Sequence, residues 1–199
     1  RLSDSCWNHA LTLKGRYPVG STGKESEGSV WKIMWDKQYL YIGVIFPDAG
    51  IIVSAKPGHP YLGDALEIFL LPSLRLKDYW EIIIGADGDL FDGLHHNNKW
   101  GGFIGSPKDS MAGLRHKCSN SGTGFSVETA IPFKELPNYQ LGNAPKPEET
   151  IYFALLRTEK NSKDGCIKSF SSFPLLYGGH NIFGYAKGIL ATSNWDRKL

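Results

Sequence analysis

Val30-Trp31-Lys32-Ile33-Met34-Trp35-Asp36-Lys37-Gln38-Tyr39-Leu40-Tyr41-Ile42-Gly43-Val44-Ile45-Phe46 holds two strand-length runs of aromatic and β-branched residues around a polar break. That composition suits a pleated, half-buried surface, and the Asp36-Lys37-Gln38 break predicts a hairpin. The same grammar recurs along the chain. Gly124–Ile131 puts Phe125, Val127, Thr129 and Ile131 on one face and Ser126, Glu128 and Ala130 on the other. Further strands are expected at Asp64–Leu71, Tyr79–Gly85, Gly113–Cys118, Ile151–Thr158, Ile167–Ser171 and Tyr185–Ala191. Ala86-Asp87-Gly88-Asp89 reads as a tight turn, because Asp-Gly tolerates positive φ. Pro132–Leu136 reads as a helical turn closed by Pro137. No apolar stripe of helical period runs for three turns. The expectation is an all-β chain, a two-sheet antiparallel β-sandwich (jelly-roll or immunoglobulin-like packing) with at most one or two short helical turns.

The bulk properties narrow the function. At 199 residues the chain fits one domain spanning 1–199, long enough to bury a core without a metal or disulfide staple. A net charge of +2 with scattered Lys and Arg speaks against nucleic acid. No apolar run approaches the ~18 residues of a membrane span, so membrane insertion is not expected. The first residue is Arg1 rather than methionine, as in a processed or trimmed chain. Cys6, Cys118 and Cys166 lack metal-ligand spacing; one bridge plus a free thiol, or three thiols, both fit.

Two tyrosines draw attention in turn-rich sequence beside strands. Tyr61 lies in His59-Pro60-Tyr61-Leu62-Gly63-Asp64 and Tyr177 in Tyr177-Gly178-Gly179-His180. Aromatic rings there tend to be presented to solvent, and two such rings across a slot can hold a sugar ring by stacking. In Asp64–Leu71, Glu67 faces away from the aliphatic set Leu66, Ile68 and Leu70, and Glu81 stands on the following strand. If those strands pair with Glu67 opposite Glu81, the carboxylates lie about 5 Å apart. Each would accept charge-assisted hydrogen bonds from hydroxyl groups. The same spacing would suit a retaining glycoside hydrolase, although paired strand glutamates are more often not catalytic.

Several fragments, taken in order, resemble the family 9 carbohydrate-binding modules. They are Cys6-Trp7-Asn8-His9-Ala10, Trp35-Asp36-Lys37-Gln38-Tyr39-Leu40-Tyr41-Ile42, Gly63-Asp64-Ala65-Leu66-Glu67-Ile68-Phe69, Glu128-Thr129-Ala130-Ile131-Pro132-Phe133 and Phe183-Gly184. The resemblance implies a β-sandwich in which two aromatics clamp a terminal sugar ring, helped by a glutamate and an arginine. The aromatics fall on Tyr61 and Tyr177 and the glutamate on Glu67. Where the arginine is expected the chain has Glu81, with Arg157 a substitute cation and His180 a further lining residue.

The resemblance thus implies non-catalytic binding of a mono- or oligosaccharide in polysaccharide (xylan- or glucan-type) degradation. It also implies a secreted, periplasmic or cell-surface location and a catalytic domain or enzyme as partner. No cofactor is required by it, although relatives hold structural calcium, for which Asp87, Asp89 and Asp92 are the candidates. The rivals are a hydrolase using Glu67 and Glu81, a structural interaction domain with a decayed sugar site, and a haem-binding sandwich ligated through Met34 or Met111. Adjacent histidines, His95 and His96, precede Asn97-Asn98-Lys99-Trp100, a polar loop, and on a strand point in different directions, so joint ligation of one ion is not expected.

Overall fold

The hairpin forms as read. In a computed structural model describing residues 2, 4–47, 52–75, 78–97, 103–104, 110–139 and 143–191, Val30 pairs with Ile45 and Trp35 with Leu40. The Asp36 carboxylate closes the turn by accepting from the Gln38 and Tyr39 N–H groups at 2.7 and 2.8 Å.

Among the described residues the strands run β1 Leu11–Pro18, β2 Glu25–Trp35, β3 Tyr39–Pro47, β4 Ala65–Leu71, β5 Tyr79–Gly85 and β6 Leu90–Asn97. They continue with β7 Phe103–Ile104, β8 Arg115–Asn120, β9 Gly124–Pro132, β10 Thr150–Lys160, β11 Ile167–Ser171 and β12 Ala186–Ile189. All pairings are antiparallel, and the helical content is 3-10 turns at Ser5–His9, Pro60–Leu62, Phe133–Glu135 and Ile182–Gly184. One layer is ordered β1-β2-β3-β9-β8. The other is β7-β6-β5-β4-β10-β11, with β12 also on β10. Strand β1 joins the layers: Leu11–Arg16 pair with β2, while Tyr17 and Pro18 pair with β11. The register shifts between Lys14 and Arg16, around Gly15 at φ +81°. A Cβ at Gly15 would sit 2.7 Å from the Glu25 carbonyl oxygen, so this corner needs glycine.

Alternation then assigns the faces. Leu66, Ile68 and Leu70 of β4, and Ile82 and Ile84 of β5, meet Ile42, Val44, Phe46, Val127 and Ile131 of the first layer in the main core. Phe69, Leu71, Tyr79, Ala154 and Leu156 point the other way, onto the outer face of the second layer. The segment after β11 folds back over them through Leu175, Ile182 and Tyr185. That cover explains why β5 is buried on both sides, and it carries the most site-like loop of the chain.

Sequence reading missed β1, β6 and the two-residue β7, and it expected fewer helical turns than the four present among the described residues. The Asp-Gly turn forms as read, with Gly88 at φ +89°, and leads into β6. His95 and His96 are therefore strand residues; the rest of that polar stretch, 98–100, lies outside the described residues. Cys6, Cys118 and Cys166 are all free thiols. Met34 pairs within the hairpin and Met111 is buried in the main core.

Candidate functional site

The site is built on the outer face of β4, β5 and β6, and its first anchor is Asp64. This buried aspartate accepts from the Val53 N–H at 2.5 Å and the Lys160 N–H at 3.2 Å, and its own N–H donates to the Val53 carbonyl at 2.8 Å. Gly63 permits the approach, since a Cβ there would lie 2.5 Å from the Val53 carbonyl oxygen. The clamp fixes the turn just upstream, Pro60–Leu62, on which Tyr61 rides. The Tyr61 ring stands edge-on to Phe91 at 6.1 Å, its hydroxyl meets His59 Nδ1 at 2.7 Å, and 37% of the residue is exposed. Phe91 pairs with Ile83, which pairs with Glu67. Tyr61 therefore stands at one end of the row containing Glu67.

Glu67 accepts a hydrogen bond from Thr158 Oγ1 at 2.5 Å. Burial pushes its carboxyl up to about 7; the Thr158 bond opposes that rise and the nearby Glu81 charge adds to it. Glu67 and Glu81 do share the outer face, but they are not direct partners. Glu67 pairs with Ile83, and Glu81 with Phe69, so the two carboxylates are diagonal neighbours. The expected 5 Å spacing was set for opposed residues; a diagonal places side chains about 7–8 Å apart.

Glu81 is held by two imidazoles. Its Oε2 lies 2.6 Å from Nε2 of His95, and its Oε1 lies 3.6 Å from Nε2 of His180. His95 comes from β6, is only 2% exposed, and stacks on Tyr79 with centroids 5.0 Å apart. His180 comes from the covering segment. Its Nδ1 meets the Tyr79 hydroxyl at 2.8 Å and its ring stands edge-on to Phe69 at 5.4 Å. Burial holds the His180 imidazole below its usual range; the Glu81 charge partly offsets this and His95 adds to it. Gly179, beside it, fits because a Cβ there would overlap the Phe69 ring. Tyr177, three residues earlier on the same segment, is 63% exposed.

His95 is the residue sequence reading missed. Its signal was present: Phe91, Gly93 and His95 alternate with Leu90 and Leu94, the period of a strand.

Arg157 is placed elsewhere. It pairs with Leu66, on the face opposite Glu67, and lies wholly buried between the layers. Its guanidinium donates to the Pro47 carbonyl at 2.8 Å, contacts Glu159 at 2.7 Å and sits over the Phe46 ring. The shared parity with Phe153 and Leu155 decides this, and Arg157 cannot serve the outer-face site. The three aspartates are also separate. Asp92 accepts from the Met111 N–H, Asp89 from the Gly58 N–H and Asp87 from the Asp89 N–H. Among the described residues, the His, Cys, Asp and Glu side chains that gather as one ligand cluster are Glu81, His95 and His180.

Chemically, the face offers carboxylate acceptors and imidazoles with the exposed Tyr61 ring at its edge, a set suited to a polyhydroxylated ligand. A family model described as "Carbohydrate family 9 binding domain-like" matches residues 1–185. Exoglucanase XynX of Acetivibrio thermocellus is 27% identical over 135 residues, 67% of this chain but 11% of that protein. Endo-1,4-beta-xylanase A of Thermoanaerobacterium saccharolyticum is 26% identical over 134 residues, 67% of this chain and 10% of its own length. The match thus spans about a tenth of these relatives.

Two solved structures share the fold, both of a carbohydrate-binding module family 9 protein from Caldicellulosiruptor kristjanssonii. The complex with cellotriose has a TM-score of 0.67 at 17% identity, covering 98% of this chain and 89% of that one. The complex with glucose has a TM-score of 0.68 at 16% identity, covering 96% and 90%. Among the described residues no helix is long and apolar enough to cross a membrane.

Proposed function

We propose a function from one premise: the chain belongs to the carbohydrate family 9 binding domain-like family. It binds carbohydrate without catalysis, gripping one sugar ring at a chain end or in a short oligosaccharide between Tyr61 and Tyr177. Glu67 accepts hydroxyl hydrogen bonds within the slot, and Glu81 and His180 orient the ring from its floor. The observation that supports this reading is the exposure of both tyrosines on segments packed over the face that carries Glu67 and Glu81.

Xylan- or glucan-type chains are the expected ligands, because the aligned relatives are named as an exoglucanase and a xylanase. The domain works as an appendage or partner of such an enzyme, outside the cytoplasm. Calorimetric titration against gluco- and xylo-oligosaccharides tests the reading. Saturable heat that disappears in both Tyr61→Ala and Tyr177→Ala supports the clamp; unchanged binding in both variants refutes it.

One observation favours the hydrolase rival, the raised pKa of Glu67 beside a second carboxylate, since a general acid needs to hold a proton near neutrality. Against it, both Glu81 oxygens face imidazoles. Turnover of an aryl glycoside that vanishes in Glu67→Gln would establish the rival instead.

A further inference from the structure

The imidazoles on Glu81 suggest more than a hydrogen-bonded floor. We infer that Glu81, His95 and His180 form a binding site for a divalent transition-metal ion of the zinc class. The three ligand atoms come from β5, β6 and the covering segment and all lie within 4.8 Å of one another. A metal with bonds of about 2.0–2.1 Å holds tetrahedral ligand atoms about 3.3 Å apart. Glu81 presents a different oxygen to each ring, Oε1 at 3.6 Å from His180 Nε2 and Oε2 at 2.6 Å from His95 Nε2, so the carboxylate binds the ion through both oxygens or turns to offer one.

The surroundings are those of a ligand set rather than of a simple ion pair. His180 is aimed by its other nitrogen: with Nδ1–H donating to the Tyr79 hydroxyl oxygen, the Nε2 lone pair faces Glu81. Tyr79 stacks on His95 as well, so one phenol braces both imidazoles. Two imidazoles and one carboxylate select zinc, nickel, cobalt or copper over calcium or magnesium, which want oxygen ligands. His180 is half exposed, so the remaining coordination positions open toward solvent.

The site shares Glu81 and His180 with the proposed sugar slot, so the inference is tested without sugar, and its failure leaves the tyrosine clamp standing. Chelator-treated protein is titrated with Co²⁺ and then Zn²⁺ near pH 7.5, following cobalt absorption and heat. The expected result is one saturable ion per chain, visible cobalt bands of low coordination number without a thiolate charge-transfer band, and displacement by Zn²⁺ but not by millimolar Ca²⁺. His180→Ala, whose ring is half exposed and leaves the core intact, should weaken binding at least tenfold. Glu81→Gln should do the same, and His96→Ala should not. Resonances of the His180 Nε2 should shift on binding Zn²⁺. Absence of saturable binding, or unchanged affinity in both His180→Ala and Glu81→Gln, would overturn the inference.

Discussion

Replacing Glu67 by Gln should stabilise the protein at alkaline pH while weakening its hold on sugar. The carboxyl rises from 4.5 to about 7 on folding, chiefly through burial. At roughly 1.4 kcal/mol per unit, that shift corresponds to a ceiling of about 3 kcal/mol. Glu67 is partly exposed, and solvent screening reduces the figure to about 1–2 kcal/mol.

The sign follows from proton binding. Below pH 4.5 both folded and unfolded states hold the proton, and Glu67 contributes no pH dependence. Between pH 4.5 and about 7 the unfolded chain releases it first, so stability falls as pH rises and levels off above 7. Glutamine keeps an oxygen for Thr158 Oγ1 and has no such titration. Urea unfolding of both proteins, with a thiol reductant present, should give a stability difference near zero at pH 4.5. By pH 8 it should grow to about 1–2 kcal/mol in favour of the variant. Other groups titrate equally in both proteins and cancel. A difference that stays constant from pH 4.5 to 8 would refute the buried, proton-holding Glu67. In the same variant, loss of a charged acceptor should reduce sugar affinity about tenfold at pH 8.

Three further substitutions separate binding from folding. Tyr177→Ala, at an exposed loop position, should cost about tenfold or more in sugar affinity but leave unfolding within about 0.5 kcal/mol of wild type; parallel calorimetry and urea melts read both. Arg157→Met should behave oppositely, destabilising by roughly 1–3 kcal/mol because the Pro47 carbonyl loses its donor while Glu159 keeps Arg16, with sugar affinity of the folded protein unchanged. Gly179→Ala drives a Cβ into the Phe69 ring and should displace the loop carrying Tyr177 and His180. Sugar affinity should fall about tenfold and stability by roughly 1–3 kcal/mol, and a variant indistinguishable from wild type in both assays would show that the loop does not depend on this contact.

What the sequence determined by itself was the local period. Strand composition, Asp36 at the hairpin and alternation in β4 and β9 follow from side chains a few residues apart, so they were legible without coordinates. Parity even contained the fate of Arg157, because it shares a face with Phe153 and Leu155. The purpose of Gly63-Asp64, clamping Tyr61 to the sheet through Val53 and Lys160, appears only in three dimensions. Tertiary structure alone decided the register that makes Glu67 and Glu81 diagonal, and a slip of two residues would have left every face assignment unchanged. It also decided that His180 folds back from beyond β11 to meet His95 of β6 over Glu81. Period sets which way a side chain points; which distant side chain it meets is set by strand pairing and by the segment that covers the sheet.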